Sequence, residues 1–140
     1  MSRSGYCDDL DMWDLIRWRG AVMSAIRGNR GQAFLREMLL ALDALPDKRL
    51  CADELVEGNE VCAIGSVGRA RGIDMSAIDA HDAELVATKF GIAKALAKEI
   101  VFENDEGGYW DESPEQRFMR VRAWVVDQIR VSGAGADGKQ

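Results

Sequence analysis

The chain has 140 residues, of which 47% are hydrophobic and 30% are charged, and its acidic side chains outnumber the basic ones by 24 to 18. This length fits one domain, and the hydrophobic content excludes an intrinsically disordered chain. No apolar run approaches the roughly 20 residues that cross a bilayer, and aspartates occupy the N-terminal region, where a secretion signal needs an apolar core. We therefore expect a soluble protein of the cytoplasm that does not bind membranes.

Two amphipathic helices are predicted at the start of the domain. Residues 10–26 and residues 32–45 both carry apolar side chains at three- and four-residue steps, and Pro46 cannot continue the second helix. Gly28 and Gly31 separate the two segments, which predicts a helical hairpin. The side chains expected to face the core from the first helix are Met12, Leu15, Ile16, Val22, Met23 and Ile26.

The two termini are expected to be flexible. Residues 1–9 and 132–140 are small and polar, so they have little apolar surface with which to offset the entropy lost on ordering. The prediction is a single helical domain over residues 10–131.

Residues 48–72 are compatible with two structures. The sequence around Glu57-Gly-Asn59 permits a short β-hairpin or a loop, and we favour a helix over residues 60–71 after it. Gly65 and Gly68 lie near one face of that helix, where they allow another backbone to approach closely.

Three more helices are predicted in the second half of the chain. Residues 81–90 form a helix capped by Asp79 or Asp74 and ended by Gly91, and residues 92–104 form the next. Ser113, Pro114 and Gln116 mark the start of the last helix, which is expected to run to residue 131. The prediction is therefore an all-α bundle of five or six helices with a possible short β-hairpin within residues 48–65.

The segment 79–104 has the spacing of a helix-turn-helix. Ala87, Gly91, Ile92, Ala97 and Ile100 occupy its small, turn and apolar positions. In a DNA-binding protein of this type, Lys94 and Lys98 would contact bases or phosphates. The same spacing is needed by any tight corner between two helices, and the acidic residues after Lys98 would repel phosphates. We favour the structural corner.

Basic residues are concentrated near the N-terminus. Residues 17–36 contain five arginines and no acidic residue, whereas residues 37–115 contain 18 acidic against 7 basic side chains. Arg17, Arg27 and Arg30 would bind phosphates in a DNA-binding protein, or else pair with internal carboxylates. Arg19 lies inside the apolar face of the first helix, so it must have a carboxylate partner, face a cleft or mark a contact between molecules, and we favour the carboxylate partner.

The acidic side chains near residue 105 are the principal candidate for a binding surface. Tyr109 and Trp110 lie among these carboxylates, which is the composition of an interface with an aromatic anchor and a polar rim. Two other interpretations stay open: the carboxylates could form a solvated surface, and the two rings could pack onto the core. The predicted partner-binding residues are Glu99, Glu103, Asp105, Glu106, Tyr109 and Trp110.

Residues suited to catalysis are few. The three cysteines, Cys7, Cys51 and Cys62, lack a C-x-x-C spacing and are expected to be reduced thiols, and His81 is the only histidine. A Cys–His dyad would need these groups to meet, which nothing in the sequence indicates. We predict no enzymatic activity, no bound metal and no cofactor.

Several segments together resemble a group of small proteins encoded by tailed phages and prophages. They are RGQAFLREM at 30–38 and ALDALP at 41–46, VCAIG at 61–65 and GRARGID at 68–74, and FGIA at 90–93 with ALA at 95–97 and EI at 99–100. The resemblance spans residues 13–127 and carries no catalytic motif. It implies a protein that binds host machinery, and in size and charge the chain is also similar to anti-CRISPR inhibitors.

These observations favour a binding protein over an enzyme. The function predicted is a phage accessory protein that inhibits or modulates a host protein or protein–nucleic-acid complex through its acidic surface. A second copy of the chain is a further candidate partner. The alternative is a helix-turn-helix transcriptional regulator that binds DNA directly through Arg17, Arg27, Arg30, Lys94 and Lys98.

Overall fold

The fold of this chain, obtained as a computed structural model that describes residues 3–6 and 11–130, is built almost entirely from helices. The α-helices are α1 (Met12–Arg27), α2 (Asn29–Asp43), α3 (Ala63–Arg71), α4 (Ala83–Phe90), α5 (Lys94–Glu106) and α6 (Pro114–Gln128). A two-stranded antiparallel sheet, β1 (Val56–Glu57) and β2 (Glu60–Val61), precedes α3, and a 3₁₀ turn covers Met75–Ala77. The predicted helical bundle with a short hairpin is confirmed.

The α1–α2 corner turns at a single residue. Gly28 ends α1, where its N–H donates to the carbonyl oxygen of Ser24 at 3.0 Å, and the same residue precedes the first residue of α2. A Cβ atom at Gly31 would lie 1.8 Å from the carbonyl oxygen of Ala25, so only glycine permits this close approach. The predicted pairing of the two helices is confirmed, with α2 starting three residues earlier than expected and ending two residues before its predicted end.

The predicted core face of α1 is wrong in its first half. Val22 and Ile26 are buried, but Met12, Leu15 and Ile16 are 73%, 48% and 54% exposed. Helix α1 packs against α2 and α5, and its buried side chains all lie in the second half. The periodicity of apolar residues predicts which side chains share one face of a helix. It does not predict how much of that face the neighbouring helices cover.

Residues 48–72 combine the two structures that the sequence permitted. The hairpin pairs Val56 with Val61 across a turn in which Gly58 has a φ of +61°. Residues 60 and 61, predicted as helix, are in β2 instead because Val61 also bridges Leu50. Helix α3 therefore begins at Ala63, and the close approach predicted at Gly65 is confirmed, since a Cβ there would lie 2.1 Å from the Leu55 carbonyl oxygen.

The later helices begin at recognisable caps. Asp82, and not Asp79 or Asp74, caps α4 by accepting the Leu85 N–H at 3.0 Å. Asp74 instead caps the 3₁₀ turn. The Ser113–Gln116 capping box predicted at the start of α6 is confirmed in both directions. Helix α6 ends at Gln128, and residue 131 lies outside the described residues.

One hydrophobic core joins all the helices, and α5 runs through its middle. Helix α5 packs against α1, α3, α4 and α6, and α3 is buried from Ala63 to Gly68. The N-terminal segment is packed against the rest of the fold, since Arg3 and Ser4 are buried polar residues, 4% and 0% exposed. The domain thus includes residues 3–6, which the sequence assigned to a flexible terminus.

Candidate functional site

The predicted acidic surface begins with Glu99, which the fold turns inward. Glu99 is only 5% exposed and accepts a hydrogen bond from the Tyr6 hydroxyl, with 2.8 Å between Oη and Oε1. Burial and this carboxylate raise the pKa of Tyr6, so its hydroxyl remains a donor. The Arg19 Nη1 atom lies 3.3 Å from both oxygens of Glu99, which confirms the carboxylate partner expected for Arg19.

Asp105 is also internal. Arg3 holds it with two parallel hydrogen bonds of 2.6 and 2.8 Å, and the two side chains are 0% and 2% exposed. Burial acts to raise the pKa of Asp105, but the hydrogen bonds and charge of Arg3, assisted by Asn104 and the Asp53 N–H, hold it below its usual range. This carboxylate is ionised, and both of its oxygens accept hydrogen bonds from groups inside the protein.

The remaining two acidic residues differ in exposure. Glu103 is partly buried, and burial together with the charge of Glu99 raises its pKa, while Arg120, 3.9 Å away, acts in the opposite direction. Glu106 is exposed and accepts a hydrogen bond from the Ser4 hydroxyl at 2.7 Å. Of the four carboxylates predicted to meet a partner, only Glu106 belongs to an exposed residue, and the other three are buried or partly buried within the fold.

The two aromatic residues predicted as anchors do lie on the surface. Tyr109 and Trp110 are 85% and 97% exposed, at the tip of the loop between α5 and α6. Neither ring folds back onto the core. We call residues 107–111 the aromatic loop.

Arg120, on α6, binds the residues on both sides of the aromatic loop. The Arg120 guanidinium makes hydrogen bonds of 2.7 and 2.9 Å to the two carboxylate oxygens of Glu112 and donates to the Glu103 carbonyl oxygen at 2.5 Å. The hydrogen bond from Arg120 lowers the pKa of Glu112. A cleft of about 650 Å³ lies beside this pair, bordered by Tyr109 and Asp111. These contacts hold the backbone on either side of the loop, and the rings of Tyr109 and Trp110 remain exposed.

The α4–α5 corner turns at Gly91 as predicted, and both of its lysines make contacts within the fold. Gly91 makes the turn with a φ of +73°. Lys94 pairs with Glu84 at 3.6 Å, and Lys98 covers the rings of Trp18 and Tyr6, with Nζ 5.0 and 5.7 Å from their centroids. Helix α5 packs against α1, α3, α4 and α6, and its buried side chains include Leu96, Ala97 and Ile100.

The N-terminal arginines divide between pairing and exposure. Arg17 lies 3.1 Å from Asp14 on the same helix, and Arg19 is paired with Glu99. Arg27 and Arg30 are exposed near the α1–α2 corner.

The two described cysteines, Cys51 and Cys62, make no hydrogen bond to the histidine. Burial, with the neighbouring Cys62, raises the pKa of the Cys51 thiol to about 12, which makes it a poor nucleophile. Cys62 Sγ lies 3.7 Å from the Arg3 guanidinium, and His81 is exposed, with no hydrogen bond to either thiol among the described residues. Cys7 lies outside them. Within residues 3–6 and 11–130, no group of three or more His, Cys, Asp or Glu side chains could hold a metal ion.

Sequence reasoning missed the polar residues that support this region. Asn104 is buried, accepts the Ala63 N–H at 3.0 Å and donates to the Cys51 carbonyl oxygen at 2.9 Å, joining α5 to the start of α3. Its position four residues after Ile100 on the apolar stripe was a usable signal. Arg3 carried no such signal, since its partner is 102 residues away.

Comparison with known proteins adds no relative. No protein family matches this chain, and neither a search of curated proteins nor one of solved structures found a match. Among residues 3–6 and 11–130, no helix is both long and apolar enough to span a membrane.

Proposed function

We propose that this protein is a non-catalytic binding domain that attaches to a partner protein through the aromatic loop. The observation that carries the proposal is the exposure of Tyr109 and Trp110, 85% and 97%, on a loop whose base is tied down by Arg120. Large aromatic rings are costly to leave in water, and they are the side chains that most often dominate the binding energy of an interface.

The loop is suited to binding because it is already ordered. The bidentate Arg120–Glu112 pair and the turn closed by the Glu112 N–H on the Tyr109 carbonyl oxygen hold the backbone before any partner arrives. Binding then costs little conformational entropy beyond that of the two rings. Glu106 and Asp111, both exposed, supply an acidic rim around them.

These features describe the surface of the partner. It would present an apolar recess for the two rings and basic side chains opposite Glu106 and Asp111, since complementary charges speed association and select the correct partner. The resemblance to small phage proteins supplies the setting, in which the partner is a host protein or protein–nucleic-acid complex. The protein would act by occluding the surface to which it binds.

The test removes the rings without disturbing the loop. The tagged full chain and its Tyr109→Ala/Trp110→Ala variant are used to capture proteins from a bacterial lysate, and the affinity of each captured protein is then measured with purified components. Because both side chains are exposed, the variant should fold normally by circular dichroism. We expect its dissociation constant to rise at least about 30-fold, as the loss of two anchoring residues implies.

The matched control is Met119→Ala, which removes another exposed apolar side chain, 68% exposed on α6. It should bind like the wild type. Equal affinity of the wild type and the double variant for every captured protein would refute the proposal. A salt-titrated mobility shift tests the alternative: duplex DNA binding that weakens steeply with salt and is lost in Arg27→Ala/Arg30→Ala would favour a DNA-binding regulator.

A further inference from the structure

A cleft of about 360 Å³, separate from the aromatic loop, lies between the first half of α1, the N-terminal segment and α5, and we call it the α1 cleft. Four residues of α1 line it from one face of the helix, since they are three or four positions apart. They are Asp14, Arg17, Trp18 and Ala21. The walls are mainly apolar, and a few polar groups converge on them. A cleft of this size and composition is the usual form of a site for a small molecule.

Two aromatic rings form the apolar walls of the α1 cleft. The rings of Tyr6 and Trp18 meet edge to face, with centroids 5.5 Å apart and planes at 81°. Tyr6 is held in this orientation by the hydrogen bond from its hydroxyl to Glu99, 2.8 Å long, and by the Phe102 ring, whose centroid lies 5.0 Å away. The walls are therefore in place before a ligand arrives, which reduces the entropy that binding would cost.

The charged groups of the α1 cleft favour an anion. The Lys98 ammonium lies over both rings, with Nζ 5.0 and 5.7 Å from their centroids, and a Cβ atom at Gly5 would lie 3.4 Å from it. Arg17, 76% exposed, makes one exposed contact of 3.1 Å with Asp14, and such a contact is weak. The lining thus carries two cations and one carboxylate. A cationic ligand would meet the Lys98 ammonium where the rings could bind it, whereas an anion would be attracted there.

We propose that the α1 cleft binds a small aromatic acid, a planar ring system that carries a carboxylate. The ring would lie against Tyr6 and Trp18, and the carboxylate would face Arg17 and Lys98. The guanidinium of arginine presents N–H groups in a fork that matches the two oxygens of a carboxylate. This site is distinct from the aromatic loop, so the proposal does not depend on the partner protein proposed above.

Three probes with the same ring system test the choice of ligand. Naphthoate, naphthylmethanol and naphthylmethylammonium are titrated into the full chain, and binding is followed by two-dimensional NMR, with the Trp18 indole N–H as the reporter. Naphthoate, with about 13 non-hydrogen atoms, should bind with a dissociation constant of about 0.1–1 mM. The alcohol should bind about fivefold more weakly, and the ammonium more weakly still. Naphthoate that does not saturate the Trp18 signal, or an ammonium that binds equally well, overturns the proposal.

Ala21→Leu tests the place of binding. Ala21 lines the α1 cleft at an exposed position of the helix, so the larger side chain would occupy the space of the ligand. Leucine is nearly as favourable as alanine within a helix, and the variant should fold normally by circular dichroism. Its dissociation constant for naphthoate should rise at least about tenfold. The control is Ala33→Leu, an exposed position on α2 outside the lining, which should bind like the wild type. Unchanged affinity in Ala21→Leu would mean that the ligand binds elsewhere.

Arg17→Gln separates recognition of the carboxylate from capture of the ring alone. Because Arg17 is exposed, its loss should leave the fold intact and weaken the binding of naphthoate about two- to fivefold, the usual contribution of an exposed ion pair. Binding of naphthylmethanol, which has no charge, should not change. Arg27→Gln, exposed at the end of α1 and outside the lining, is the control and should affect neither probe. If Arg17→Gln weakens both probes equally or neither of them, the assignment of an acid to this cleft is wrong.

Discussion

At the scale of single residues, the least accessible charged group in the described chain is the Arg3–Asp105 pair. Both side chains are almost completely removed from solvent, and Arg3 also contacts Cys62 while Asp105 also accepts from the Asn104 amide and the Asp53 N–H. A buried pair of this kind is stable only because each ion compensates the other. The same pair fastens residues 3–6 to the end of α5.

Removing one member of this pair should destabilise the fold strongly. Arg3→Met leaves the Asp105 carboxylate buried and uncompensated, so we expect the free energy of unfolding to fall by about 3–5 kcal/mol. Urea denaturation followed by circular dichroism measures the change. The control is Arg49→Met, which breaks a partly exposed pair with Glu60 and should have a much smaller effect. Equal losses for the two variants would mean that the Arg3 pair is solvated.

At the scale of the elements, local signals specified the helix ends better than the helix faces. The Ser113–Gln116 capping box and the Gly91 turn are formed as the sequence predicts, because a cap depends on residues at most four positions away. The apolar face of α1 depends on neighbouring helices, and its first half remains exposed. The helix favoured over 60–71 begins at Ala63 instead, because residues 60 and 61 form β2. The bridge between Val61 and Leu50 is likewise a contact with another segment, which local sequence does not predict.

The cap of α6 makes a separate prediction. Ser113 Oγ accepts the Gln116 N–H at 3.1 Å, and Ser113→Ala leaves that donor without this partner. The free energy of unfolding should fall by about 1 kcal/mol. Ser24→Ala, at an exposed position inside α1, serves as the control and should change stability by less than about 0.5 kcal/mol. A loss in Ser113→Ala no larger than in the control would show that the cap contributes nothing to stability.

At the scale of the whole molecule, arginines and carboxylates pair across the fold. Hydrogen bonds from arginine lower the pKa of Glu37 through Arg71, of Asp43 through Arg122 and of Glu112 through Arg120, and Arg3 keeps that of Asp105 low despite burial. The acidic middle of the chain is therefore connected to basic residues from both ends. Internal pairing, one of the two readings of the arginine-rich N-terminus, holds for Arg19.

These pairs predict acid sensitivity. Each of the four carboxylates has a folded-state pKa below its unfolded value of about 3.9–4.3, so the stabilisation is fully present above that range and is lost as the pH falls through the folded values. Urea midpoints should be similar at pH 7 and pH 5.5 and should decline below about pH 4. Arg122→Gln, which removes one of the pairs, should reduce the decline. A urea midpoint that does not fall between pH 5 and pH 3 would contradict this account.

By itself the sequence determined that the chain is helical, where the α-helices begin and end to within three residues, that Arg19 needs a carboxylate, and that Tyr109 and Trp110 are candidates for an exposed anchor. These properties follow from residue composition and from interactions within about four positions along the chain. The tertiary structure decided which carboxylates are internal and which apolar side chains stay in water. Glu99 and Asp105 read as members of an acidic surface because their partners, Arg19, Tyr6 and Arg3, are 80 to 102 residues away. A charged side chain can be buried only where such a distant partner compensates it, and local sequence patterns do not predict which residues become partners.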